Sequence, residues 1–152
     1  MYRQHEITRD EHDAWWSSVQ DCNATLILLY EWHGEARGVV VFSDLTEQFR
    51  TGSWAFYSSP QAEKGTGSRM EYLALDYFFD LLDMRKLNCE VLMTNNRVIR
   101  LHRRFGFSVE GYFSDHVTID GSPLDVVRLA HFQARWLAER GTYYAGLEEG
   151  GN

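Results

Sequence analysis

Residues 61–82 read QAEKGTGSRMEYLALDYFFDLL, and the rest of the chain organises around the helix they begin. A short loop, Lys64-Gly65-Thr66-Gly67-Ser68, runs straight into a pattern in which Met70, Leu73, Ala74, Tyr77, Phe78 and Leu81 recur at helical spacing. Tyr72, Leu75, Phe79 and Leu82 add a second apolar stripe, and Glu71, Asp76, Asp80 and Asp83 hold the remaining positions. A helix apolar over most of its circumference packs deeply, here against a sheet. The loop admits two readings. Glycines that open a helix can turn backbone N–H groups toward an anion, where the helix dipole also favours negative charge. An ordinary loop uses glycine wherever φ must be positive.

Upstream of the loop, TRDEHDAWW (8–16) starts a short helix, with Thr8 and Glu11 spaced as a capping box. ATLILLYEW (24–32) and VVVFSDL (39–45), joined by HGEARG, read as a hairpin, and TGSWAFYSS (51–59) is a third strand ending before Pro60. Downstream, KLNCEVLM (86–93) alternates as a strand. NNRVIRLHRRFGF (95–107) is a helix that Asn95 or Asn96 caps and Gly106 ends. FSVEGYFSDHVTI and LDVVRLAHF form a hairpin about DGSP, FQARWLAER is a closing helix, and 142–152 reads as a flexible tail. Residues 1–141 thus make one domain. The strand–helix–strand order at its centre predicts a parallel pair within a mostly antiparallel mixed sheet, an α+β fold flanked by helices.

A chain of 152 residues suits one core. A net charge of −7 argues against general nucleic-acid or anionic-membrane binding. Lys64, Arg69, Arg85, Lys86, Arg97, Arg100, Arg103 and Arg104 nonetheless cluster centrally. The two cysteines, Cys22 and Cys89, form no CxxC pair, and Cys89 reads as a buried small hydrophobe. With no signal pattern and no membrane-length apolar run, the expected compartment is the reducing cytoplasm. Six histidines show no metal-ligand spacing, and no metal is expected.

Three strands, a G-x-G loop opening a long helix, a further strand, an asparagine and a helix ending in GF resemble the GNAT superfamily of acyl-CoA-dependent N-acyltransferases. The superfamily loop motif begins with Gln or Arg; here that position is Ala62, with Gln61 one residue away. MYRQHEITRDEHDAWW, KGTGSRMEYLALDYFFD and RKLNCEVLMTNNRVIRLHRRFGFSVEG are similar, more narrowly, to the pseudaminic-acid pathway enzymes. Those acetylate the 4-amino group of a UDP-linked 4-amino-4,6-dideoxy sugar on the route to the nonulosonic acids of flagellin and surface polysaccharide. Acetylation of a protein N-terminus or a polyamine, and acyl-CoA binding without turnover, are the competing readings.

The resemblance implies acetyl-CoA as co-substrate and a UDP-amino sugar as acceptor. Lys64, Gly65, Thr66, Gly67, Ser68 and Arg69 would hold the pyrophosphate. Phe56, Tyr57 and Ser58 would pair with the pantetheine arm and offer an N–H to the oxyanion, and Asn95 would contact the arm. Arg97, Arg100, Arg103 and Arg104 form a basic stripe for the 3′-phosphate, or simply a solvated face. Glu90 is the expected base for the amine, desolvated within a strand, or else an ordinary polar position. His102 stands where many GNAT enzymes place the tyrosine that protonates the leaving thiolate, and imidazolium can perform the same transfer. Tyr2, His12, Trp15 and Trp54 are expected on the acceptor side. Family domains usually begin with a strand and helix that this chain lacks ahead of Met1. The expectations are an internal Met1, an incomplete acceptor wall, tighter binding of CoA than of nucleotide sugar, and an open edge on the 24–32 strand compatible with a homodimer.

Overall fold

The computed structural model describes residues 8–20 and 24–149, with side chains at all of these except 12, 15, 16, 19, 20, 148 and 149. Helix α1 spans Arg9–Gln20 and opens on the expected capping box. The Thr8 N–H donates to Glu11 Oε2 (2.9 Å) and the Glu11 N–H to Thr8 Oγ1 (3.3 Å). Strands β1 (Leu26–Trp32), β2 (Glu35–Thr46) and β3 (Thr51–Ser58) form an antiparallel meander. Helix α2 (Thr66–Asp76) crosses over to β4 (Lys86–Leu92), which lies parallel to β3. Helix α3 (Asn96–Arg104) leads into the hairpin β5 (Ser108–Ile119) and β6 (Ser122–Phe132), and α4 (Gln133–Glu149) follows. The sheet order is β1-β2-β3-β4-β6-β5, so one parallel pair sits in an otherwise antiparallel sheet, as the element order predicts. β1 is an edge strand of this sheet.

Two details of α2 differ from its apolar stripes. The helix passes into a π-helical turn, Tyr77–Leu81, closed by the Leu82 N–H donating to the Tyr77 carbonyl (2.9 Å). The wider turn rotates the face so that the consecutive residues Phe78 and Phe79 are both fully buried, while Leu73 and Leu81 are exposed. Glu71, expected among the polar positions, is fully buried. Asp76 and Asp80 are outside the core and grip Arg140 of α4 (2.8 and 2.7 Å).

The expected tail is also corrected. Helix α4 continues past Arg140 as far as Glu149. Tyr143 stacks on the buried Trp136 (5.7 Å between centroids) and meets Phe105, which gives the segment an apolar face to bury.

Candidate active site

The parallel contact between β3 and β4 is short. It covers Thr51↔Lys86, Gly52↔Leu87 and Ser53↔Asn88, and then the strands part. Buried Asn88 donates its side-chain amide to the Gly52 carbonyl (3.1 Å) at this junction. Beyond it lies a cavity of about 190 Å³, walled by Trp54–Tyr57 from β3 and Cys89–Leu92 from β4, with Asn95, Val98 and His102 completing it. Unpaired strand edges facing one another can hydrogen-bond an extended amide chain placed between them, as in strand addition. Phe56, Tyr57 and Asn95 line the cavity, and Ser58 falls outside its wall. Asn95 also caps α3, accepting from the Val98 N–H (3.3 Å).

The second part is a basic groove where the α2 loop meets α3. Gly65 precedes α2 with φ +89°, a left-handed conformation that suits glycine. By helix geometry the N–H groups of the first turn have no acceptor within the helix. Gly65, Gly67 and Ser68 face Arg97, Arg100 and Arg104 across about 400 Å³, and the Arg104 guanidinium donates to Ser68 Oγ. Such a set of donors can hold an anion with several charges. A Cβ on Gly67 would stand 3.6 Å from Leu101, so the two helices approach closely there.

Four expected contributors lie outside that groove. Lys64 is exposed and outside the groove. Arg69 lies over the Trp32 ring (4.5 Å) and donates to Tyr30 Oη (3.3 Å), bracing α2 against β1. Of the expected stripe, Arg104 lines the groove and Arg103 is exposed outside it, because successive helical residues point about 100° apart. Thr66 is buried and accepts from Arg69 (3.5 Å).

Glu90 lines the cavity, but it is not desolvated. Its side chain is 34% exposed and accepts from Arg128 Nη1 (2.9 Å), its cross-strand partner on β6. The burial expected from its place in β4 fails because the alternation of the strand puts Cys89 and Val91 inward and Glu90 out.

His102 is 3% exposed. Its Nδ1 lies 2.8 Å from Glu71 Oε1, and the Glu71 side chain has no exposed surface. Trp54, Phe56 and Phe107 surround the imidazole at 5.4, 5.8 and 5.1 Å between centroids. Burial alone pushes its pKa down. Hydrogen bonds with Cys89 and Glu71, and the negative charge of the Glu71 carboxylate, outweigh burial and raise it to about 10. Burial pushes the Glu71 carboxyl up. Both directions mean that the pair keeps a proton through neutral pH. His131 supplies the contrast: it is fully buried too, but with no carboxylate at hydrogen-bonding distance, and burial lowers it to about 4. Glu71 is the site residue that the sequence did not reveal. The only signal was a carboxylate interrupting the apolar stripes of α2 opposite a histidine.

Trp54, expected on the acceptor side, is a core ring. It is 5% exposed and stacks on Phe42 (6.3 Å) and Phe107 (6.0 Å). Tyr2 lies outside the described residues, as do the side chains of His12 and Trp15.

The acetyltransferase (GNAT) domain model matches residues 1–108. The spermidine N(1)-acetyltransferase of Escherichia coli K12 is 34% identical over 113 residues, which cover 74% of this chain and 61% of that protein. The spermidine N(1)-acetyltransferase of Vibrio cholerae is 27% identical over 101 residues, 66% of this chain and 58% of that protein. The chain therefore spans about three fifths of the length of these curated relatives. The crystal structure of the Vibrio cholerae spermidine N-acetyltransferase in complex with CoA and spermine superposes with a TM-score of 0.81. It is 24% identical and covers 90% of this chain and 83% of that one. These relatives are polyamine acetyltransferases, where the sequence resemblance had pointed to nucleotide-sugar enzymes.

Proposed function

The chain belongs to the GNAT acetyltransferase family, and on that footing we propose that it transfers the acetyl group of acetyl-CoA to a primary amine of a polyamine-like cation. The observation that carries the transfer reading is the parting of β3 and β4 into a slot lined by Phe56, Tyr57 and Asn95, together with the basic groove at Gly65–Ser68. A molecule with a polyphosphate end and an extended amide arm matches both. The 34% identity to a spermidine acetyltransferase supports the amine class. A carboxylate at the cavity mouth and a net charge of −7 suit a cationic acceptor.

In this reading the N–H groups of Gly67 and Ser68 at the head of α2, with Arg97, Arg100 and Arg104, hold the phosphates, while the Thr66 N–H is donated to the Glu63 carbonyl (3.1 Å). The β3 edge orients the thioester. Glu90 attracts the ammonium and accepts its proton, directly or through water, so that a neutral nitrogen attacks. The C–N bond forms, the C–S bond breaks, and the sulfur leaves with the electron pair.

The test is thiol release from acetyl-CoA with spermidine, spermine, a peptide amine or a UDP-linked amino sugar as acceptor. Saturable turnover with the polyamines and none with the sugar is expected. Turnover with the sugar alone restores the nucleotide-sugar reading. Acetyl-CoA binding with no turnover on any amine points to a binding module.

A further inference from the structure

We propose that Glu71 is a positioning residue for catalysis: it fixes His102 as an imidazolium whose Nε2 protonates the departing thiolate, doing in this site what a hydroxyl does elsewhere in the family. The inference rests on the acetyl-transfer reading above.

The geometry gives the two nitrogens of His102 different neighbours. Nδ1 is taken by Glu71 at 2.8 Å, Trp54, Phe56 and Phe107 surround the ring, and the same ring forms part of the cavity wall. The other nitrogen, Nε2, is therefore the one left to Cys89 and to the cavity, whose wall Cys89 also forms. Without a carboxylate, an imidazole in such surroundings would be neutral, as His131 is, and a poor acid. Glu71 supplies the missing charge. Its titratable and charged neighbours are few: Cys89 on β4 acts on the imidazole, and Arg104 on α3 acts on the Glu71 carboxylate.

The energetics also point away from a purely structural pair. Glu71 Oε2 is buried and has no hydrogen-bond partner among the described residues. A buried ion pair that is only half satisfied stabilises a fold less than apolar residues of the same volume. Glu71 and the phosphate loop share one helix, so seating the anion at the head of α2 fixes the height of the carboxylate five residues after Thr66.

The step balances. As the amine nitrogen bonds to the carbonyl carbon, the sulfur takes the C–S electron pair and the Nε2 proton. The nitrogen sheds two protons, one to Glu90 before attack and one to water after it; Glu90 returns its proton to solvent, and solvent returns one to the imidazole. Glu71 exchanges no proton overall.

The experiment compares wild type, Glu71→Gln and the double variant Glu71→Gln with His102→Tyr. Glu71→Gln keeps size and a hydrogen bond but loses the charge. The expected result is a fall in kcat of about a hundredfold, within the usual range for a proton-transfer group. Acetyl-CoA affinity should be unchanged, and the alkaline limb of the pH profile should move down by several pH units. The double variant, whose phenol needs no carboxylate, should regain at least tenfold. Histidine NMR on the CoA-bound protein gives a second readout that needs no acceptor. The His102 titration should move to lower pH in Glu71→Gln. An unchanged His102 titration, or a pH profile equal to wild type, overturns the role of Glu71. A wild type that turns over no amine while NMR shows the expected shift overturns the transfer reading instead.

Discussion

Asn88 donates its side-chain amide to the Gly52 carbonyl at 3.1 Å, where β3 and β4 make their last parallel rung. The bond holds the two strands together at the point from which they diverge, so the vertex of the cavity is set by one buried side chain. Asn88→Ala leaves the Gly52 carbonyl without that partner in a buried place and should cost about 1–3 kcal/mol of stability. Urea denaturation measures it, and a change below about 0.5 kcal/mol would mean that water replaces the amide.

The glycine loop separates fold from binding. Gly65 has φ +89°, so Gly65→Ala should destabilise the protein by about 1–2 kcal/mol. Gly67 has ordinary space, with a Cβ reaching Leu101 at 3.6 Å, so Gly67→Val should still fold. Its side chain would stand where a phosphate approaches, and acetyl-CoA affinity by calorimetry should drop about tenfold or more, ~1.4 kcal/mol. Unchanged affinity in a folded Gly67→Val protein removes the phosphate site.

Neighbouring arginines on α3 should behave differently. Arg104 bonds Ser68 in the basic groove, whereas Arg103 points elsewhere. Arg104→Ala should weaken acetyl-CoA binding about three- to tenfold, more at low salt, as exposed charge contacts do. Arg103→Ala should leave it within about twofold by the same criterion. Equal losses in the two variants would move the phosphate contacts to a different face.

Glu90 pairs with Arg128 at the cavity mouth. Glu90→Gln keeps the shape and cannot take a proton, and kcat/KM for a cationic amine should fall about ten- to a thousandfold. Acetyl-CoA affinity should be intact. Wild-type turnover at neutral pH would leave Glu90 as a structural partner of Arg128.

Two buried histidines give opposite pH limbs of stability. His102 is raised to about 10 from an ordinary 6.5, so the folded state holds a proton that the unfolded chain has released. That contribution is complete below about pH 6.5 and is lost as pH rises toward 10. His131 is lowered to about 4, so the unfolded chain binds a proton that the folded one refuses. Its contribution is present above about 6.5 and is lost as pH falls to 4. Melting temperature should therefore decline on both sides of about pH 6.5. His102→Gln should flatten the alkaline side and His131→Gln the acid side. Parallel curves in all three proteins would show that neither proton is linked to folding.

Local patterns decided much of this protein before any tertiary contact. The stripes of α2, the β-rich runs around 24–32, 39–45 and 51–59, the Thr8–Glu11 box, and the Asn95 cap with its Gly106 stop are read within a few residues, because helix and strand periods and caps are short-range physics. The element order then required a parallel pair, and the Gly65–Ser68 loop marked a helix start. Side-chain direction is another matter. Whether Glu71 faces solvent or His102, whether Glu90 is buried or meets Arg128, and whether Trp54 stacks on a ligand or on Phe42 depend on which elements come to lie opposite. A one-residue π turn rotates the Phe78–Phe79 face, and a 100° step exchanges Arg103 for Arg104 in the groove. Burial of a charge is decided by partners 31 residues away in Glu71–His102 and 38 in Glu90–Arg128, and no local period carries that information.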